Sequence, residues 1–179
     1  MTESSSRLLD YVRAFEGENN PERRQALIRI LDSEGFAYSQ EEYHTLGRRG
    51  TNIIVSFGQG TKDILVTAHY DCVKGSPGAN DNASSISVLL DLARRLKTYQ
   101  PNNRIKIIFF GDEERIGLTW LVGSTAYVKA HGVGSLVGVC NLELCGNGDK
   151  VVIWPVSTDT GDSGVLGCLR QALQERGCP

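Results

Sequence analysis

The spacing of apolar residues along the chain alternates between two patterns, one typical of amphipathic helices and the other of strands. Apolar residues that recur every three or four positions predict five helices, around residues 8–15, at 20–34, over about 18 residues after Asn80, at 124–131 and at 162–176. Short apolar and β-branched runs predict six strands, at residues 36–46, 52–57, 63–68, 104–110, 136–142 and 150–154. Glycine-containing turns, such as residues 47–50, separate them.

The strand segments at residues 63–68 and 104–110 are typical of strands that are buried on both faces of a parallel sheet. Strands that alternate with helices form a mostly parallel sheet with helices on both sides. We therefore predict one α/β domain over residues 1–179, a three-layer α/β/α sandwich with a mostly parallel mixed central sheet. In such sheets, ligands bind at the carboxyl ends of the strands.

Composition and charge narrow the range of functions. Lys and Arg number 19 against 21 Asp and Glu, and the formal net charge of −2 argues against a nucleic-acid partner. No apolar run reaches the ~18 residues needed to span a bilayer, so no membrane partner is expected. The acidic N-terminus is unlike a secretory signal, and five scattered cysteines are unlike a disulfide framework. We therefore expect a cytoplasmic protein.

Three residues with metal-binding chemistry follow the first of the buried strands. His69 and Asp71 are two positions apart, so in an extended chain their side chains share a face. The carboxylate can then accept one imidazole N–H and leave the other ring nitrogen for a metal. Asp81 stands where the next helix begins, a position that an ordinary helix cap would also explain.

Further carboxylates follow the next two strands of the predicted sheet. Glu113 and Glu114 come directly after the strand at residues 104–110, and Glu143 ends the strand at residues 136–142. In an adjacent pair, one carboxylate can bind a cation while the other takes a proton from an activated water. Each feature has an ordinary structural explanation, but four in order at successive strand exits favour one shared metal site.

In this order, the motifs resemble those of the co-catalytic zinc aminopeptidases of the bacterial leucyl-aminopeptidase type, to which the glutaminyl cyclases are related. The resemblance covers residues 64–146 and rests on His-x-Asp, Gly-Ala-x-Asp-Asn and Glu-Glu motifs, with Glu143 near the family's Asp-Met-x-Gly position. It implies a zinc-exopeptidase fold. It also implies that a zinc-activated water hydrolyses the N-terminal peptide bond of a peptide substrate with a free N-terminus.

The resemblance also implies a role for each candidate residue that lies between the strands at residues 63–68 and 104–110. His69 would ligate one zinc ion, Asp71 would orient His69, and Asp81 would bridge two zinc ions.

At the later strand exits, the resemblance implies that Glu113 is the general base and that Glu114 ligates the second zinc ion. Glu143 stands where the family usually has an aspartate ligand of the first zinc ion. Glutamate is a competent zinc ligand, although it is one methylene longer.

The family has a further ligand that has no counterpart here, a late histidine on the second zinc ion. The histidines of this chain are His44, His69 and His131, and we do not expect His44 or His131 to replace it. We therefore expect a fragment or a naturally short chain that lacks the C-terminal part of the family. Two carboxylates without an imidazole hold zinc poorly, so we expect one zinc ion to bind well and peptidase activity to be weak or absent.

Two other functions stay open on the same fold. One is a glutaminyl-cyclase-like aminoacyltransferase, although such enzymes also use the late histidine. The other is a catalytically silent binding module, which the absent ligand favours and the Glu113–Glu114 pair opposes. A homo-oligomer is also open, because a shortened sheet would expose an edge and an apolar face.

Overall fold

A computed structural model of the chain describes residues 3–45, 48–114, 118–154 and 164–177. Over these residues, the strands are β1 (Tyr38–Thr45), β2 (Arg48–Phe57), β3 (Asp63–His69), β4 (Arg104–Phe110) and β5 (Leu136–Asn141). The helices are α1 (Glu3–Phe15), α2 (Asn20–Ser33), α3 (Ser84–Leu96), α4 (Val122–His131) and α5 (Val165–Glu175), and a short π-helical segment, Ala79–Ala83, precedes α3. None of these helices combines the length and apolar character needed to cross a lipid bilayer.

The strands form one mixed sheet in the order β1-β2-β4-β3-β5. The pairs β1–β2 and β2–β4 are antiparallel, whereas β3 runs parallel to both β4 and β5. Two of the four strand pairs are therefore antiparallel and two are parallel. The antiparallel pairs arise because β1 and β2 form a hairpin, and β2 also pairs with β4. In the parallel pair, His69 lies level with Phe110, so the chain leaves β3 and β4 at the same edge of the sheet.

Helices cover both faces of this sheet, as the predicted three-layer sandwich requires. On one face, α1, α2 and α3 bury Phe15, Leu27 and Leu90 against sheet residues that include Ile107. On the other face, Tyr127 of α4 packs in a smaller cluster, whose other buried members are Ile54, Leu65 and Ile108. Neighbouring residues of β4 thus enter opposite layers, as expected from the two-residue period of a strand.

The start of α2 shows how the local sequence fixes an element. Asn19 accepts the backbone N–H of Glu22 at 3.1 Å, and Glu22 accepts the backbone N–H of Asn19 at 3.3 Å. This reciprocal capping box and Pro21 in the first turn begin the helix where the sequence predicts. Just after it, Gly35 adopts a left-handed conformation with φ of 68°.

Three sequence predictions differ from the structure. The strand predicted at residues 150–154 is wrong: this segment has no strand conformation and Trp154 is exposed, because no described strand pairs with it. The helix predicted after Asn80 is regular only from Ser84, since Asp81 and Asn82 have non-helical backbone angles. The turn predicted at residues 47–50 is mostly strand, because β2 begins at Arg48; Gly47 lies outside the described residues.

Candidate metal centre

His69 lies at the centre of the predicted site. It ends β3, its side chain is 3% exposed, and its Nε2 atom points toward carboxylates from three other parts of the chain. Nε2 is 3.1 Å from Oδ1 of Asp81, 3.3 Å from Oε2 of Glu143 and 3.9 Å from Oε2 of Glu113. The structure therefore brings these predicted residues to one point at the carboxyl edge of the sheet.

Two groups of potential ligand atoms meet at this imidazole. Within each group, the donor atoms lie within 4.8 Å of one another; one group is His69, Asp81 and Glu143, and the other is His69, Glu113 and Glu114. The first group is the set that the resemblance assigns to the first zinc ion. An imidazole with carboxylates is a donor set that suits Zn²⁺, so the residues present fit the ion. The role of each residue as ligand or base remains a prediction.

Asp71 connects the exit of β3 to the exit of β4. Its buried carboxylate accepts the backbone N–H of Glu113 at 3.1 Å and that of Glu114 at 2.9 Å. Nδ1 of His69 lies 3.5 Å from Oδ1 of Asp71 and 3.1 Å from its backbone oxygen. Asp71 thus lies beside Nδ1 of His69, and in addition it fixes the backbone of the glutamate pair, a contact that the sequence does not reveal.

The charges of His69 and Asp71 depend on each other. Burial alone would lower the pKa of His69, but Asp71 and Glu143 outweigh burial and raise this pKa to about 11. Burial alone would raise the pKa of Asp71, but the hydrogen bonds from His69 and from the two backbone amides lower it. Metal binding at Nε2 requires this nitrogen to be unprotonated, so the metal affinity of the centre depends on pH.

In contrast to Asp71, both carboxylates of the Glu113–Glu114 pair have a raised pKa. Burial, with the neighbouring carboxylates Glu143, Asp71 and Asp81, raises the pKa of Glu113, although His69 opposes this shift. Burial and Asp81 likewise raise the pKa of Glu114. A bound cation would relieve this crowding of negative charge.

Glu143 is held by two asparagines that the sequence reasoning missed. Nδ2 of the buried Asn82 donates to Oε2 of Glu143 at 2.7 Å and to the backbone oxygen of Leu142 at 3.0 Å. Its Oδ1 accepts the backbone N–H of Leu144 at 3.3 Å. Asn141 donates to Oε1 of Glu143 at 2.8 Å. In the sequence, Asn82 is the last residue of the Gly-Ala-x-Asp-Asn motif, but its role is not evident there because its partners lie about sixty residues away.

Asp81 does not act as the helix cap that could also explain its position. The N-cap residue of α3 is Ala83, and no side chain caps this helix. Asp81 instead lies in the π-helical segment with φ of −109° and ψ of 96°, and its side chain is 49% exposed. Its carboxylate is thus left free to approach Nε2 of His69.

The other two histidines lie outside both donor groups. His131 stacks on Tyr127, with ring centroids 4.3 Å apart, and its Nε2 is 2.9 Å from Oε2 of Glu41. His44 is exposed on β1, which β2 and β4 separate from β3.

A cavity of about 310 Å³ opens beside the centre, between α4 and the sheet. His69, Glu113 and Glu143 line one part of it. The rest of its lining is largely apolar and includes Leu65, Phe110, Leu121, Val128, Leu136 and Val139. The charged centre therefore adjoins a space that suits an apolar group.

Comparisons with known proteins point to one family. The sequence matches the profile of "Peptidase family M28" over residues 52–177, well over half of the chain and the whole of the candidate centre. Aminopeptidase YwaD of Bacillus subtilis is 52% identical over 65 residues, which cover 36% of this chain and 13% of that protein. A vacuolar membrane protease of Schizosaccharomyces pombe is 28% identical over 155 residues, which cover 83% of this chain and 17% of that protein. The chain thus spans less than a fifth of either relative.

Solved structures confirm the fold class. A zinc aminopeptidase from Bacillus subtilis superimposes with a TM-score of 0.65 at 31% identity, covering 74% of this chain and 34% of that one. A glutaminyl cyclase from Porphyromonas gingivalis superimposes with a TM-score of 0.77 over 97% of this chain and 70% of that one. Its identity is 22%, so this second similarity concerns the fold alone.

Proposed function

Because this chain belongs to peptidase family M28, we propose that it is a metal-dependent exopeptidase of the aminopeptidase type, which removes the N-terminal residue of a peptide. The observation that carries the proposal is the convergence of Asp81, Glu113 and Glu143 on Nε2 of His69. The similarity to Aminopeptidase YwaD and to a zinc aminopeptidase structure supports the same activity.

We assign the primary metal position to His69, Asp81 and Glu143, whose donor atoms form one compact group. When bound there, Zn²⁺ supplies a Lewis acid that polarises the substrate carbonyl and lowers the pKa of a water molecule. A second ion would have Asp81 and Glu114 as its ligands, and two carboxylates alone hold zinc weakly. We therefore propose one firmly held zinc ion per chain.

Glu113 is the proposed general base. It is adjacent to the primary group, since its Oε2 lies 3.9 Å from Nε2 of His69, and Asp71 holds its backbone N–H. A carboxylate at this position can accept the proton of a water molecule and return it. Glu113 takes the proton of the attacking water and delivers it to the departing amine.

The surroundings of the centre suit a peptide that begins with an apolar residue. The carboxylates attract the free amine of the substrate, and the adjoining cavity of about 310 Å³ receives an apolar side chain. The specificity that we propose is therefore for leucine-like or aromatic N-terminal residues over charged ones.

The test is hydrolysis of aminoacyl-p-nitroanilides with added zinc. We expect slow, zinc-dependent release of nitroaniline from the leucyl substrate, faster than from the lysyl or glutamyl substrates, and its loss in the Glu113→Gln variant. Activity that survives in this variant would show a contaminant or another base. Zinc binding without any turnover would instead support a silent binding module.

Aminoacyl transfer is the alternative for which the same preparation is tested. The similarity to a glutaminyl cyclase concerns the fold alone. Incubation with a peptide that begins with glutamine distinguishes the two, because cyclisation releases ammonia without breaking a peptide bond. We expect no ammonia; ammonia release that depends on zinc and on Glu113 would replace the exopeptidase proposal.

A further inference from the structure

Arg23, on α2, is a fully buried cation that donates hydrogen bonds to backbone oxygens rather than to carboxylates, and its guanidinium lies 5.7 Å from the centroid of the Phe15 ring. Its side chain is 0% exposed, and it forms no ion pair with a carboxylate of the described residues. Nε donates to the oxygen of Tyr70 at 2.5 Å, Nη1 to that of Phe15 at 2.8 Å and Nη2 to that of Gly78 at 3.2 Å. Burying a charge that is hydrogen-bonded but has no ionic partner costs free energy, so the presence of Arg23 at this position calls for a physical explanation.

Two of these three oxygens belong to the segments that form the metal centre. Tyr70 stands between His69 and Asp71, and Gly78 stands three residues before Asp81. One guanidinium therefore joins the exit of β3 to the start of the segment that carries Asp81. The third contact anchors this connection to the end of α1.

The backbone of Gly78 and the guanidinium of Arg23 approach each other so closely that a side chain at position 78 would collide with Arg23. It has φ of 62°, and a Cβ atom there would lie 2.5 Å from Nη1 of Arg23. Its oxygen also accepts the backbone N–H of Ala83 at 3.1 Å, which closes the π-helical segment around Asp81. The same oxygen of Gly78 therefore contacts Arg23 and takes part in the segment that carries Asp81.

The charge of Arg23 also acts on the centre. Burial lowers the pKa of Arg23, and the nearby Cys72, Asp71, Asp81 and Glu114 oppose this shift. In a weakly polarisable interior, a fixed positive charge offsets part of the repulsion among these carboxylates without occupying a ligand position.

We propose that Arg23 is a positioning residue of the metal centre, which holds the backbone directly after His69 and shortly before Asp81 so that both side chains reach one ion. The inference rests on the proposed function, because it presupposes a metal at His69. The planar guanidinium spans three backbone oxygens at once, whereas a lysine ammonium is a point charge that cannot reproduce this geometry.

The test compares Arg23→Lys with two controls on α2. Arg24→Lys makes the same change at a neighbouring arginine, which donates to Oγ1 of Thr51 at 3.0 Å. Leu27→Ala weakens the packing of the same helix at a fully buried position away from the centre. Zinc affinity is measured by chelator competition, the ligand geometry by the visible spectrum of the Co²⁺ form, and stability by thermal unfolding.

We expect Arg23→Lys to lower zinc affinity by about 10- to 100-fold, as removal of a ligand-orienting partner does, and to alter the Co²⁺ spectrum. Arg24→Lys should leave both unchanged, and Leu27→Ala should lower the unfolding temperature while zinc affinity stays within about twofold of the wild type. Unchanged zinc affinity in Arg23→Lys, or an equal loss in Leu27→Ala, would overturn the inference. A wild-type chain that binds no zinc would overturn the proposed function itself.

A second pair of variants tests the same contact from the backbone side. Gly78→Ala places a Cβ 2.5 Å from Nη1 of Arg23 and 2.9 Å from Cβ of Cys72. Gly75→Ala introduces comparable strain in the same loop, with φ of 84°, but its Cβ meets no atom within 4 Å. We expect zinc affinity to fall in Gly78→Ala and to be maintained in Gly75→Ala. Equal behaviour of the two variants would contradict the role of the Arg23 contact.

Discussion

On the side of β3 and β4, the candidate centre rests on two buried groups at the exit of β3, His69 and Asp71, whereas on the side of β5 it rests on an exposed carboxylate. The side chains of His69 and Asp71 are 3% and 2% exposed, and Asp71 is fixed by two backbone amides. The side chain of Glu143 is 40% exposed and is held by the side-chain amides of Asn82 and Asn141.

The position of each strand in the sheet explains this difference. β3 is paired on both sides, with β4 and β5, while β5 has only β3 as a neighbour among the described strands. Val137 and Val139 of β5 are about half exposed, which fits an edge strand with little cover. We therefore expect the chemistry and metal affinity to depend most on the β3–β4 side and less on the β5 side.

The largest effect is expected at the proposed general base. Glu113→Gln keeps the size and polarity of the side chain but removes its ability to accept the proton of water, so turnover should fall by about 10³-fold. Zinc content should not change. The matched control is Glu42→Gln on β1, an exposed glutamate, which should retain full turnover. Comparable losses in both variants would contradict the assignment of the base.

The second-largest effect is expected for Asp71, the buried carboxylate that joins the exits of β3 and β4. Asp71→Asn replaces an acceptor of two N–H groups by an amide and removes the negative charge beside Nδ1 of His69. Zinc affinity should decrease by about 10- to 100-fold, as it does when a ligand-orienting partner is lost. Co²⁺ titration measures this change, and wild-type affinity would show that the β3–β4 side does not govern metal binding.

A smaller effect is expected on the β5 side. Asn82→Ala removes the hydrogen bonds to Glu143, Leu142 and Leu144, so Glu143 should become more mobile. Because one such bond contributes about 1 kcal/mol, zinc affinity should fall by about fivefold. A loss larger than that of Asp71→Asn in the same titration would reverse the comparison between the two sides.

The smallest effect concerns stability and leaves the centre untouched. At the other end of β3, the hydrogen bond from Arg104, with those from Lys106 and Ser135, lowers the pKa of Asp63 from its ordinary 3.8 to about 2. Since the folded-state pKa is the lower one, this stabilisation is present above about pH 4 and is lost as the pH falls toward 2. Asp63→Asn should reduce the free energy of unfolding at pH 7 by only about 1 kcal/mol, because Arg104 is partly exposed to solvent.

Urea unfolding at several pH values checks this prediction. The difference between Asp63→Asn and the wild type should diminish as the pH approaches 2, and zinc affinity at pH 7 should stay the same. A difference in stability that is independent of pH, or a loss of zinc binding, would contradict the claim that the Asp63 carboxylate stabilises only the fold.

Much of the fold could be predicted from the sequence because the buried strands and amphipathic helices carry their own periodicity. β3 and β4 are predicted to within one residue, and the exit of His69 and Glu113 at one edge follows from their parallel pairing. The error at residues 150–154 has a physical cause, since an apolar run becomes a strand only where another strand pairs with it.

The candidate site was predictable as a set of residue types but not as a supporting network. The histidine and most of the carboxylates stand out because they end or follow strands, and Asp81 stands out because it precedes a helix. Arg23 has no distinctive pattern in the sequence. Asn82 lies in the Gly-Ala-x-Asp-Asn motif, but its role is not evident there because its partner Glu143 is remote in sequence. The exposure of Glu143 likewise depends on which strands neighbour β5, which local patterning does not determine.

The most direct measurement is the position and number of zinc ions, from anomalous diffraction at the zinc edge together with the zinc content of the dialysed protein. We expect one tightly held ion per chain, about 2.0–2.1 Å from Nε2 of His69 and ligated by Asp81 and Glu143. Two tightly held ions would contradict the single-site stoichiometry. No retained zinc, or an anomalous peak remote from His69, would contradict the metal centre itself.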